Sequence, residues 1–300
     1  MINLKMESEF QVTGIGEVLW DIFPEGERFG GAPANFACHA QALGTDAHVV
    51  SCVGKDQLGQ QILTFLETRQ INTSSISCSD QYPTGTVQIQ LDSSGHPQFE
   101  ICVDSAWDFI PWSGMLALLA STTDAVCYGT LSQRNQMSRD TIQRFLESLP
   151  SNCLRILDVN LRQQFYDLAL IQQSLRFADV LKLSDEELPI LASVFELPGS
   201  DMAVVETLMK QYDLRLIALT RGEQGAILVS DDQVSECQGV RVEVADTVGA
   251  GDAFTAAMTI GLLRDHDLEV INHHACRVAA FICSQAGAVP DLPHELQMVI

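Results

Sequence analysis

The residues best placed to do chemistry are Asp246-Thr247-Val248-Gly249-Ala250-Gly251-Asp252, where two glycines flank an alanine and a carboxylate follows at once. The run from Ala253 to Leu263 is apolar, rich in small residues and without strand-like alternation, so it reads as a helix that starts at this turn. Such a start leaves the N–H groups of Gly249, Ala250 and Gly251 unpaired and sets a partial positive charge behind them. The glycines let a bound group approach the backbone closely, which makes the turn a cradle for phosphate. A carboxylate among such donors suits a phosphoryl group in flight with an acceptor hydroxyl behind it, Asp252 taking the hydroxyl proton. A pKa of Asp252 lowered by the helix terminus would make it a weak base, which suffices if the proton leaves late. Taken alone, Gly-Ala-Gly-Asp also reads as an ordinary helix start with a capping Asp.

The front of the chain changes that balance. Asp21 follows an apolar run, Val12–Val18, that reads as the first strand, and it should lie at the carboxyl end where α/β sheets bind ligands. There it can accept two hydroxyl hydrogen bonds. Gly30-Gly31 permits close backbone approach, and Pro33 suits the first turn of a helix presenting Asn35, whose amide both donates and accepts. Asp21, Gly31 and Asn35 together suit a polyol. Arg162, after another strand, is a fit clamp for phosphate oxygens in a chain with only 17 Lys plus Arg. Arg134 reads equally as a clamp or a surface residue, and Lys182 reaches either phosphate or Asp185 and Glu186. Other phosphate fingerprints fail. Gly14-Ile15-Gly16 has Leu19 where the dinucleotide motif needs its third glycine, and Gly54-Lys55 has Val49 where a P-loop needs its first. His273, His274 and Cys276 read as an ordinary helix surface, and Trp107 either caps a ligand or fills a small core.

Six β-branched apolar runs must position these groups: Val12–Val18, Ala47–Val53, Asp124–Tyr128, Arg155–Val159, Val180–Leu183 and Arg215–Thr220. They alternate with helical segments at Asn35–Leu43, Leu58–Arg69, Ser138–Leu149, Leu168–Phe177, Glu186–Phe195 and Met202–Tyr212. The alternation predicts a mostly parallel sheet with helices on both faces. One interval departs from it. Thr86–Leu91 and Gln98–Val103 alternate polar with apolar around an Asp92–Gly95 turn, a hairpin that must project from the sheet, joined by the segment Asp21–Gly30. A hairpin so short is marginal without a surface to cover.

The net charge of −22 excludes a nucleic-acid or anionic-membrane surface, and no apolar run reaches the length of a membrane helix. The nine cysteines are odd in number and scattered among apolar runs, which reads as buried reduced thiols. The N-terminus lacks the apolar core of a signal peptide, so the expected location is cytoplasmic.

Gly14–Asp21, Gly30–Asn35, Ala40–Gly44 and Val53–Gly59, with Thr84–Thr86, Asp158–Arg162, Lys182–Glu187, Thr220–Gly225 and the Asp246–Phe254 turn, resemble the ribokinase/PfkB family of carbohydrate kinases. Glu17-Val18-Leu19-Trp20-Asp21 and Ala106-Trp107-Asp108 are most similar to bacterial fructokinases, and the likeness runs from Thr13 to Pro290. It implies a ribokinase-like three-layer α/β sandwich, one domain over 1–300, with a projecting β lid formed by about 21–30 and 84–108. It implies ATP and Mg2+ as cofactors, Asp252 as base, and the Gly249-Ala250-Gly251 turn holding the transferred phosphoryl. Asp21, Gly31 and Asn35 would hold the sugar, with Arg162 near the γ-phosphate or substrate and Thr220, Gly222 and Gly225 near the nucleotide. Glu187 matches the acidic end of the family's Asn-x-x-Glu motif, linked to magnesium, with Ser184 in place of the Asn. K+ would sit beside the turn near Asp246, Val248 and Gly287, although Asp291 replaces a smaller hydroxyl residue. The implied reaction is ATP-dependent phosphorylation of a sugar hydroxyl, fructose to fructose 6-phosphate. The alternatives are 2-keto-3-deoxygluconate, ribose or a nucleoside as acceptor, or a catalytically silent sugar-binding regulator. The implied partners are a small sugar and MgATP, with a homodimer formed through the lid.

Overall fold

The computed structural model describes residues 10–23, 26–91 and 97–297. In chain order these form β1 (Gln11–Ile15), β2 (Leu19–Phe23), β3 (Gly26–Gly30), α1 (Ala32–Ala42), β4 (Asp46–Gly54), α2 (Gln57–Thr68), β5 (Ile76–Ser79), β6 (Gly85–Leu91), β7 (Pro97–Ile101), α3 (Gly114–Thr122), β8 (Ala125–Tyr128), α4 (Gln136–Glu147), β9 (Leu154–Asp158), α5 (Leu168–Leu175), β10 (Val180–Ser184), α6 (Glu187–Val194), α7 (Asp201–Tyr212), β11 (Leu216–Thr220), β12 (Ala226–Ser230), β13 (Val234–Cys237), α8 (Ala250–Leu263), α9 (Leu268–Cys283) and α10 (His294–Gln297). Short 3-10 turns occupy Ala106–Phe109, Leu131–Gln133 and Gly222–Gln224.

Nine strands make one sheet in the order β13-β12-β11-β10-β9-β8-β1-β4-β5. The strands from β11 to β5 are parallel, with Ile15 of β1 set between Val50 and Tyr128. Their apolar runs are near-continuous because both faces are covered. One face packs on α1, α2, α8, α9 and α10, the other on α3 to α7. The edge pair β12–β13 is antiparallel, and β5, β12 and β13 lie outside the six runs expected as strands.

The projecting element is a second, four-stranded sheet, β3-β2-β6-β7. Its β6–β7 pair is the expected hairpin, Gln88 opposite Glu100, while the Asp92–Gly95 turn lies outside the described residues, as do the first nine residues of the chain. The Asp21–Gly30 segment joins it as two antiparallel strands, with Asp21 opposite Arg28. Asp21 therefore sits within the lid sheet and not at the end of the first strand. β1 stops at Ile15, because Gly16 at φ +148° ends the strand and Ser132 and Pro33 stand where a side chain would be. The lid's inner face packs Leu19, Val87 and Ile101 on Trp107 and Leu131. Trp107 is fully buried, so it fills this small core.

Candidate active site

Chain order reverses in the sheet between β1 and β8. From that point β1 leads outward to β4 and β5, and β8 to β9, β10 and β11. Loops that leave the carboxyl ends of two such strands diverge and open a crevice, the usual ligand position in an open α/β sheet. Here the crevice is met from the side by the N-termini of α1 and α8, which pack on each other.

Neither of those termini is capped by a side chain, in contrast to α2, α3, α4, α5 and α7, whose Asp56, Ser113, Asn135, Asp167 and Ser200 each accept from the first turn. At α8 the cap residue Gly249 has φ +80°, and a Cβ there would lie 2.3 Å from the Ala288 carbonyl oxygen. The N–H of Ala250 turns back to Thr247 O at 3.3 Å, whereas those of Gly249, Gly251 and Asp252 have no partner among the described residues. Free donors at the start of a buried 14-residue helix make an anion cradle. Lys182 lies beneath it, its Nζ 3.1 Å from where a Gly251 Cβ would be. Its ion pair is with Asp158, at 3.0 Å, and not with Asp185 or Glu186.

Asn35 Nδ2 donates to Asp252 Oδ2 at 2.8 Å, joining the first turns of α1 and α8. The pKa of Asp252 is raised to about 6, against the low value expected of a helix terminus. Burial is the largest cause and repulsion from Asp158 the next, and together they outweigh Asn35, Lys182 and Arg162. A carboxylate with that value is a better base near neutral pH than an exposed Asp. Burial raises Asp158 as well. Lys182 would be lowered by burial, but Asp158, Glu187 and Asp252 outweigh it and hold the ammonium charged. A small cavity behind the turn is lined by Pro33, Phe36, Cys127, Tyr128, Asp158 and Asp252.

Asp21 overlooks this site from β2, its carboxyl raised to about 6 by burial and by Asp246, with Arg162 and Arg28 opposing. Gly31, at φ +106°, is pressed against Glu17 O and leaves no room for a Cβ. Arg162 is exposed, with Nη1 on Leu161 O, and lies within electrostatic reach of Asp21, Glu17, Asp158 and Asp252. Glu187 is buried as a strap, Oε1 accepting from Leu161 N and Oε2 from Ser184 N, each at 2.8 Å. Each oxygen keeps a lone pair for a water held by a metal. Among the described residues no three His, Cys, Asp or Glu side chains gather closely enough to hold an ion alone. Thr220, Gly222 and Gly225 stand at the carboxyl end of β11, where Gly222 (φ +53°) and Gly225 (φ +88°) shape the turn into β12. They share the sheet edge with Asp252 but make no contact with it.

Arg134 belongs to neither a clamp nor the surface. Its side chain is 8% exposed, forks onto Asp108 at 2.7 and 2.8 Å and lies between the rings of Trp107 and Phe165. His274 and Cys276 are buried, correcting their reading as a helix surface; only His273 is exposed. All nine cysteines are free, five of them buried. Three groups at the crevice were missed: Glu17, Arg28 and Asp158. The one available signal for Glu17 was a carboxylate inside an otherwise apolar run.

A doubly wound α/β sheet with an uncapped glycine turn at its crevice defines a phosphate-handling enzyme of the ribokinase-like fold. Residues 23–295 match the model of the pfkB family carbohydrate kinases, and the chain belongs to that family. It is 31% identical to a fructokinase of Salmonella typhimurium over 303 residues, 95% of this chain and 97% of the relative. A fructokinase of Escherichia coli is 26% identical, with 94% and 96% covered. Among solved structures, the fructokinase of Xylella fastidiosa with bound ATP superposes with a TM-score of 0.84 at 21% identity, covering 94% of this chain and 95% of that one. No helix among the described residues is long and apolar enough to cross a membrane.

Proposed function

We propose that this carbohydrate kinase transfers the γ-phosphoryl group of ATP to fructose, giving fructose 6-phosphate and ADP. The observation that carries the reading is the Asn35–Asp252 pair at two uncapped helix N-termini. Asp252 accepts the proton of the sugar hydroxyl as the oxygen bonds to phosphorus and ADP leaves. The free N–H groups of Gly249 and Gly251 face the charge on the phosphoryl, Ala250 between them being turned back to Thr247 O, with Lys182 beneath and Arg162 above. Asp21, Gly31 and Asn35 hold the sugar under the lid, and Thr220, Gly222 and Gly225 border the nucleotide. Mg2+ would be carried on the ATP phosphates, with Glu187 reaching it through water. K+ would lie between the Asp246–Val248 backbone and Gly287. The unit is one domain over 1–300, acting in the cytoplasm as a homodimer through the lid segments 21–30 and 84–108.

Fructose is favoured by the 31% identity to a fructokinase across nearly the whole chain. A sugar acid such as 2-keto-3-deoxygluconate needs a cation in the pocket, and the pairing of Arg134 with Asp108 leaves Arg162 to serve. A silent regulator would have no use for an intact turn with Asp252. The test is ADP release with MgATP across fructose, ribose, glucose, 2-keto-3-deoxygluconate and adenosine. Fructose should give the highest kcat/KM; a preference for any other acceptor overturns the assignment.

A further inference from the structure

Two polar side chains at the crevice are idle in the reaction above. Glu17 follows β1 and Ser132 lies in the 3-10 turn after β8, so they come from the two loops that part at the reversal of strand order. Glu17 is 1% exposed and Ser132 fully buried; the Ser132 hydroxyl lies near enough to the Glu17 carboxyl to favour its ionised form, yet neither Glu17 Oε2 nor Ser132 Oγ makes a well-formed hydrogen bond with a described residue. Asn35 Oδ1, on the amide whose nitrogen holds Asp252, is orphaned too. Ser132 stands beside the Glu17 carboxyl, which lies within electrostatic reach of Asp252 and Arg162.

The loop that carries Ser132 is fixed in place. Gln133 Nε2 donates to Gly129 O and Thr130 Oγ1 to Val159 O, both at 2.7 Å. Gly16 makes the approach possible, since a Cβ there would lie 2.6 Å from Ser132 Oγ. Buried polar atoms are almost always paired, and three orphans around one aspartate point to a partner that is not protein. An apolar side chain at position 17 would serve packing better than a buried carboxyl.

We propose that Glu17 and Ser132 form a further wall of the acceptor pocket, where one sugar hydroxyl donates to Glu17 Oε2 and accepts from Ser132 Oγ. The inference rests on the kinase reading and deepens it. Glu17 and Asn35 offer acceptor oxygens and Ser132 a group that serves either way, so the wall calls for hydrogen donors. A hydroxyl supplies one. Glycines Gly16 and Gly31, both at positive φ, flank the β2–β3 hairpin.

The variants are Ser132→Ala and Glu17→Gln, each assayed on fructose and its monodeoxy analogues with MgATP. Losing this contact should lower kcat/KM for fructose about ten- to a hundredfold and leave KM for ATP unmoved. One deoxyfructose should show the same loss on the wild type and no further loss on either variant. The Ser132→Ala Tm should change little, because the hydroxyl it removes makes no well-formed bond in the free protein. Variants that discriminate among the deoxy analogues as the wild type does, or that lose ATP affinity instead, overturn the wall alone. A wild type inactive on every sugar overturns the kinase reading, and the wall with it.

Discussion

Changing Asp252 to Asn separates its chemistry from its place in the fold. The amide is nearly isosteric and its oxygen can still accept from Asn35 Nδ2, so the link between α1 and α8 survives. What disappears is a half-buried negative charge. Because the folded pKa is raised from 3.8 to about 6, the native state holds the proton more tightly than the unfolded chain. The ionised group therefore destabilises the fold in full above about pH 6, and the penalty vanishes as pH falls below the unfolded value. Two units correspond to about 3 kcal/mol, so at pH 8 the variant should melt roughly 5 °C higher than the wild type. Turnover should move the other way, down about 10²- to 10⁴-fold, since Asn cannot take the hydroxyl proton. Scanning calorimetry and coupled ADP release on one preparation give both numbers. A variant that retains more than about a tenth of kcat would remove Asp252 as the base. A lower Tm at pH 8 would refute the argument that burial dominates its pKa.

The wild-type kcat/KM should fall about tenfold per pH unit below about 6, because Asp252 must be ionised to act and its pKa lies there; a flat profile to pH 5 contradicts this. Gly249→Ala places a Cβ 2.3 Å from Ala288 O at φ +80°, so it should lower the Tm and weaken ATP at least about tenfold, readable by calorimetry. Unchanged ATP binding would take the turn out of the phosphate site. Asp21→Ala should raise the sugar KM about ten- to a hundredfold with nucleotide affinity nearly constant. Equal loss of both would show that Asp21 serves the lid and not the sugar.

Much of this fold is legible because its central strands are buried on both faces and several of its helices, α2, α3, α4, α5 and α7, carry side-chain caps. Runs such as Val49-Val50-Ser51-Cys52-Val53 leave little choice of element. The glycines at 31, 249 and 251 are legible too, since backbone approach is a property of the residue itself. What depends on distant partners is not. Arg134 finds Asp108 and the ring of Trp107 only through the fold, so its sequence neighbours point to the wrong role. The basicity of Asp252 is set by burial and by Asp158, against the local rule for helix termini. Asp21 is misplaced because Gly16 ends β1 early, and one glycine inside an apolar run does not announce a change of sheet. Glu17 escapes notice for the same reason that makes it interesting: nothing near it in sequence is polar.

Arg28, on lid strand β3, reaches across the cleft to Asp246, Nη1 to Oδ2 at 3.1 Å. Asp246 also accepts from Val248 N and Gly287 N, and so anchors the segment that leads into the turn. The cover of one substrate is thereby bonded to the support of the other. Whatever draws the lid down steadies the turn, and by thermodynamic reciprocity sugar should tighten ATP by the same factor as ATP tightens sugar. With Arg28 40% and Asp246 13% exposed, the pair is worth no more than about 1 kcal/mol. The mutual gain is then about fivefold at most, and it fades as added salt screens the bond.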